Sequence, residues 1–176
     1  MNVGKFGQFN RIVIKVGSAL LLNKNEGFNR SWLNNLSNEI EQLHNRHTEI
    51  LIVSSGAVAI GSTYLKKKRL HMNLNEMQAA AAMGQAQLVM EWQDSFKSSG
   101  INTAQILLTR SDTENKKRFL NSKDTLLTLI KYNVIPIINE NDTVATEELK
   151  YGDNDRLAAR VAQMTSADLL ILLSDV

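Results

Sequence analysis

The chain has 176 residues, 43% hydrophobic and 22% charged, with a formal net charge of +2 and no cysteine. That length suits one domain burying roughly 70% of the surface its unfolded chain exposes, and the composition is that of an ordinary soluble globular protein. The small charge gives no basis for a DNA-coating surface or an acidic tail, and the missing cysteine excludes disulfides, thiolate catalysis and sulfur-ligated metal.

Residues 1–10 read as a loose arm ahead of a single domain over 11–176. They contain no apolar core of signal-peptide length, and no later run approaches the ~20 apolar residues that span a bilayer. A cytoplasmic protein without a membrane partner is the expectation. A β-branched, apolar run over 11–16 predicts the first strand. Leu33, Leu36, Ile40 and Leu43 recur at helical spacing over 30–46. A strand over 50–53 precedes a helix from Ala57 to about Leu65. The longest helical pattern covers 75–97, with Met77, Ala80, Ala81, Gly84, Leu88 and Trp92 along one side. A strand over 104–108, a helix around 119–132, a strand over 134–138, a helix over 154–165 and a strand over 169–173 complete the chain. Strands separated by helices of this length imply an α/β fold with a mostly parallel central sheet. Pro136 conflicts with its run, because proline is poorly placed inside a central strand. Either the strand starts there or the ladder is irregular at that point.

Each apolar run ends in a compact polar cluster. The runs give way in turn to Lys15-Val16-Gly17-Ser18, Ser54-Ser55-Gly56, Thr109-Arg110-Ser111-Asp112, Asn139-Glu140-Asn141-Asp142 and Ser174-Asp175. Ligands of open α/β sheets sit outside the carboxyl ends of the strands, so these clusters are expected to converge on one crevice.

Several patterns resemble sites without being them. Gly56, Gly61 and Ser62-Thr63 imitate a P-loop but lack the lysine that reaches the phosphates. His44, His47 and His71 show no zinc spacing and read as surface residues. Met72, Met77, Met83 and Met90 read as core and gap-filling side chains. The basic run Lys66-Lys67-Lys68-Arg69 reads as a solvated helix end, since no aromatic residue interleaves with it to stack a base.

The strand-end residues each admit two readings. Ser54-Ser55-Gly56 is either an N-cap at a tight turn or a place where a ligand meets backbone and an anion meets a helix start. Lys15 lies in an apolar run, so it either snorkels to solvent or points at an anionic ligand beside Gly17. The clusters at 139–142 and 152–155 hold four carboxylates and three amides, but neither has calcium-loop spacing. Asx-rich turns would explain each alone. Asp153 would cap the helix bearing Leu157, Ala158, Val161 and Ala162, placing Asp155 in its first turn near the crevice.

Val13-Ile14-Lys15-Val16-Gly17-Ser18, Val53-Ser54-Ser55-Gly56-Ala57 and the segment Gln78 to Gln85 resemble the amino acid kinase family. So do Leu107-Leu108-Thr109-Arg110, Arg118-Phe119-Leu120-Asn121, Pro136 to Asp142 and Gly152-Asp153-Asn154-Asp155. The resemblance covers nearly all of 11–176 and is strongest for members that phosphorylate the γ-carboxylate of glutamate. It implies an αβα sandwich, of which this chain is the N-terminal, substrate-binding portion. It further implies ATP-dependent formation of γ-glutamyl phosphate from L-glutamate, the first step of proline biosynthesis, with Mg²⁺ carried on the nucleotide phosphates and no metal ligands from the protein.

Carried over by position, the resemblance makes Lys15 a catalytic contact to the ATP phosphates and the transferring phosphoryl group. Gly17 lies on the same nucleotide side. Ser55, Asp142 and Asn154 hold glutamate, with the Gly56 backbone close to the reacting groups. Asp155 orients the catalytic lysines. Ser174 and Asp175 begin the nucleotide site, where the family more often has threonine first. Proline as a feedback inhibitor and a homo-oligomeric state are also implied; nucleic acid is not an expected partner. The family's nucleotide-binding half, with a second catalytic lysine and a glycine-rich segment, follows the last strand, as does a PUA domain in many members. The expectation is therefore a fragment of a longer enzyme or a truncated protein. Two alternatives stand beside the kinase: a non-catalytic glutamate-binding module, and a family kinase whose acceptor is carbamate, aspartate or UMP.

Overall fold

β-Branched and apolar runs form the strands, and amphipathic runs the helices, as the periodicities require. The computed structural model describes residues 9–23, 27–144 and 154–175. The expected N-terminal arm lies almost wholly outside those residues, as does Asp153. β1 (Arg11–Val16) leads through a single helical turn, α1 (Ser18–Leu21), into a small antiparallel hairpin of β2 (Leu22–Asn23) and β3 (Gly27–Phe28). Then come α2 (Arg30–His44), β4 (Glu49–Ser54), α3 (Ala57–Tyr64), α4 (Leu74–Ser95) and β5 (Asn102–Leu108). They are followed by α5 (Arg110–Glu114), α6 (Lys116–Lys131), β6 (Val134–Glu140), α7 (Asn154–Thr165) and β7 (Leu169–Leu173). The hairpin, α1 and α5 were not expected. Two-residue strands and four- or five-residue helices are too short to carry a readable period.

The five longer strands form one sheet in the order β5-β6-β4-β1-β7, every pair parallel. Helices cover both faces. Ile12, Ile14 and Val16 of β1 point to the side of Leu33 and Ile40 in α2, Ile60 in α3, and Leu88 and Trp92 in α4. Val13 points the other way, with Leu51 and Val53, against Leu126 and Ile130 in α6 and Leu157, Val161 and Met164 in α7. The result is a three-layer αβα sandwich, and two-sided burial explains why its strands read as continuous apolar runs. By the same alternation, Lys15 falls on the α7 side of the sheet.

Pro136 is buried in β6, an interior strand, so the strand does not start there. It pairs in register with Ala104 of β5, while the ladder to β4 begins one residue later, at Ile137 opposite Ile52. The residue without an N–H thus sits just before the β4 pairing rather than within it.

α3 and α4 cross at unusually close range. A Cβ on Gly61 would lie 1.8 Å from the Ala80 carbonyl oxygen, and one on Gly84 would lie 1.9 Å from that of Ala57. Only glycine fits at either position. Asn73 and Glu76 form a capping box at the start of α4, which fixes where that helix begins. The buried stripe of α4 is made of Ala80, Ala81, Gly84, Leu88 and Trp92. Met83 and Met90 fall off that stripe and are 44% and 54% exposed, so they are not core residues. Met72 is buried. His47 and His71 are at the surface as expected, but His44 is only half-exposed. Burial lowers its imidazole pKa below 6.5, the charge of His47 adds to this, and a hydrogen bond with the Asn133 backbone opposes it.

Candidate active site

The parallel sheet aligns the ends of β1, β4, β6 and β7 at one edge, and a cavity of about 320 Å³ opens there. This is at the small end of the range for small-molecule sites, about 300–1,000 Å³. Its walls include Lys15, Gly17, Ser55, Gly56, Asp142, Asn154, Ser174 and Asp175. Asp155 does not line it but is joined to it, because its Oδ1 lies 2.7 Å from Lys15 Nζ. All nine residues singled out from the sequence therefore belong to one neighbourhood.

Lys15 is 8% exposed, and its ammonium is paired rather than snorkelled into open solvent. Burial of that charge is tolerable because a carboxylate faces it. Gly17 leaves it uncovered: a Cβ there would stand 3.8 Å from Lys15 Nζ and 3.3 Å from the Leu173 carbonyl oxygen. The Gly17 N–H donates to that same oxygen at 3.0 Å, which ties the end of β1 to the end of β7.

The three residues of Ser54-Ser55-Gly56 have separate duties. Ser54 is fully buried and accepts a hydrogen bond from Trp92 Nε1 at 2.9 Å. Ser55 accepts one from Asn154 Nδ2 at 2.7 Å. Gly56 is the N-cap of α3, at φ 116° and ψ −5°, and no side chain caps the helix. The simple serine-cap reading is thereby replaced. A left-handed glycine lets the chain turn sharply from β4 into α3, and the uncapped first turn, through Ala57 to Ala59, faces the cavity.

Asn154 starts α7 and also donates to Asn139 Oδ1 at 2.9 Å. Asn139 is buried, donates to Gln85 Oε1 at 2.8 Å and accepts from the Glu140 N–H at 2.9 Å. This chain of three amides and one hydroxyl, running from α4 through β6 and α7 to the residue just after β4, ties the pocket wall together. An Asx turn would not require it.

The cluster after β5 does not join the cavity. β5 is at the far edge of the sheet, and Thr109 and Asp112 form a capping box for α5. Burial alone would raise the Asp112 carboxyl, but hydrogen bonds from the Thr109 hydroxyl and N–H, with Arg118 nearby, hold it below its ordinary value. Ser18, part of the cluster expected at the end of β1, lines the cavity, and Arg69 and Met77 line it unannounced. Arg69 sat in a run that read as solvated, and nothing local in the sequence distinguished it from its three basic neighbours. Asn139 and Glu140 also line it; their signal was a polar pair ending an apolar strand.

The arrangement provides an ammonium, the uncapped N-terminus of α3, and a set of amide, hydroxyl and carboxylate groups. Such a site suits an anionic ligand that also carries a hydrogen-bonding amine. Among the described residues, no group of three or more His, Asp or Glu side chains is placed to hold a metal ion. None of the described helices is long and apolar enough to cross a membrane.

Fold and site together define a three-layer α/β domain with a small-molecule pocket at the carboxyl edge of its parallel sheet. Comparison with known proteins makes this more specific. The family model for the amino acid kinase family matches residues 10–176, and the chain belongs to that family. It is 51% identical over 172 residues to a glutamate 5-kinase of Bartonella henselae, covering 98% of this chain and 45% of that protein. It is 52% identical over 172 residues to glutamate 5-kinases of Brucella ovis and Brucella melitensis, covering 98% of this chain and 46% of each. The chain thus spans a little under half the length of these curated relatives.

Proposed function

We propose that the protein carrying this chain transfers the γ-phosphoryl group of ATP to the γ-carboxylate of L-glutamate, forming γ-glutamyl phosphate for proline synthesis. The observation that carries this reading is the Lys15–Asp155 pair at 2.7 Å, beside an Asn154–Ser55 contact of 2.7 Å in the same cavity. The relatives named glutamate 5-kinase, at about half identity, support the acceptor.

Phosphoryl transfer asks little covalent work of a protein; positioning and charge stabilisation do most of it. A carboxylate oxygen attacks the γ-phosphorus in line, and no general base is needed because the carboxylate is already ionised at neutral pH. Two anions must then approach each other. Lys15 offsets that repulsion and stabilises the charge that develops between them. Asp155 fixes the position of the Lys15 ammonium. Asp142 is suited to the substrate ammonium, while Ser55, Asn154 and the N–H groups at Gly56–Ala57 bind the acceptor's oxygens. Gly17, Ser174 and Asp175 face the nucleotide. Mg²⁺, arriving on the ATP phosphates, would supply further charge neutralisation without dedicated protein ligands.

The test uses the complete protein and follows ADP release with glutamate, aspartate, carbamate and UMP offered in turn, trapping the γ-glutamyl phosphate formed from glutamate as a hydroxamate. Glutamate should be the acceptor, and Lys15→Ala should lower kcat by roughly 10²–10³-fold, the scale of one lost transition-state donor. Near-native turnover in that variant would remove Lys15 from the chemistry. Binding of glutamate with no turnover would instead favour a binding module.

A further inference from the structure

The basic run Lys66–Arg69 leaves the end of α3, and nothing in the proposed reaction uses it. Its members part company in the fold. Lys67 Nζ lies 2.7 Å from both carboxylate oxygens of Glu76 in the first turn of α4, an ordinary surface pair. Lys66, Lys68 and Arg69 are all exposed. Arg69 alone of the four lines the cavity that holds Lys15, Asp142 and Asn154. Among the described residues its guanidinium has neither a carboxylate partner nor a hydrogen bond. It opens the short 3₁₀ turn Arg69–His71, which closes with Met72 N–H donating to the Arg69 carbonyl at 3.1 Å. Met72 is buried and anchors that turn to the body of the domain.

Charge matching gives this residue a task. Glutamate at neutral pH brings two carboxylates and one ammonium. The described walls of the cavity offer two cations, Lys15 and Arg69, against the carboxylates Glu140, Asp142 and Asp175. Lys15 is engaged by Asp155 and suits the reacting end. With the N–H groups at Gly56–Ala57 and Lys15 given to the reacting end, Arg69 is the remaining cation on this acid-rich wall for a second carboxylate. A guanidinium also matches a carboxylate with two parallel N–H donors, which an ammonium cannot do. Met77 and Ala59, on the same walls, provide apolar surface for the two methylene groups between the ligand's charged ends.

We propose that Arg69 binds the α-carboxylate of the acceptor and so selects an α-amino acid over a simple γ-acid. This rests on the glutamate reading of the site given above.

The test compares native protein, Arg69→Ala and Arg69→Lys, each as the complete protein, with two inhibitors competitive against glutamate. Glutarate keeps both carboxylates and lacks the ammonium. γ-Aminobutyrate keeps the reacting carboxylate and the ammonium but lacks the α-carboxylate. Arg69→Ala should raise KM for glutamate and Ki for glutarate by about 10- to 100-fold, the scale of one charge-assisted pair. The loss should exceed any change in kcat. Ki for γ-aminobutyrate should stay within about twofold, and Arg69→Lys should recover only part of the loss. Equal weakening of glutarate and γ-aminobutyrate, or an unchanged KM in a protein that does phosphorylate glutamate, overturns the assignment of Arg69 alone. Absence of glutamate turnover in the native protein removes the underlying function, and this inference with it.

Discussion

Replacing Gly84 by alanine sets two effects of known size against each other. Intrinsic helix propensity favours the change, since alanine is better than glycine in a helix interior by about 0.8–1.0 kcal/mol. Packing opposes it. The new Cβ would stand 1.9 Å from the Ala57 carbonyl oxygen and 2.6 Å from the Gly61 nitrogen, both backbone atoms of α3 that cannot rotate away. Reaching an ordinary contact near 3.4 Å requires α3 and α4 to separate by about 1.5 Å. Overpacking of this kind costs about 1–3 kcal/mol and sometimes more. The clash lies at its upper end, because two backbones and not a flexible side chain must give way. A net loss of about 1–2 kcal/mol follows, or a fall in Tm of roughly 2–8 °C for a domain of this size. Ala57 also lines the cavity, so KM for glutamate should rise in the same variant. Thermal unfolding followed by circular dichroism, with steady-state kinetics on the complete protein, reads both. A Gly84→Ala protein more stable than the native one would show that propensity wins and that the α3–α4 crossing is not as close as described.

Ser54→Ala should destabilise the fold by about 1–3 kcal/mol, because the buried Trp92 indole N–H loses its acceptor; a urea midpoint matching that of the native protein would mean the indole finds another partner. His44 gives a pH dependence of definite sign. Its folded pKa lies below 6.5, so as pH falls through 6.5 the unfolded chain takes up a proton that the native state resists. Its contribution to stability is complete above that pH and is lost on acidification toward the folded pKa. Denaturant midpoints at pH 7.5 and 5.5 should therefore differ less in His44→Gln than in the native protein, and equal differences in the two would contradict the burial of His44.

The order of strands and helices was legible in the sequence because hydrophobic periodicity is a local property, fixed once neighbouring side chains are written down. The convergence of the nine candidate residues was legible for a related reason. Lys15, Ser55, Asp142 and Asn154 stand where apolar runs stop, or where a helix begins, and a parallel sheet brings such ends to one edge. The β5 cluster failed the same rule because strand order, which no local pattern encodes, puts β5 at the edge beyond β6.

What only tertiary structure decided is which of two local meanings each polar residue takes. Lys15 could have snorkelled; Asp155, 140 positions along the chain in sequence but 2.7 Å away in space, holds its ammonium. Ser54 could have been a cap, and Trp92 claims its hydroxyl. Met83 and Met90 share the composition of the core but face water, because α3 packs against glycine and alanine on the other side of α4. Arg69 is indistinguishable from Lys68 in the sequence, and only the turn into α4 swings it over the cavity. Periodicity depends on residues a few positions apart, whereas burial and pairing depend on distant segments meeting, and that is set by the packed fold.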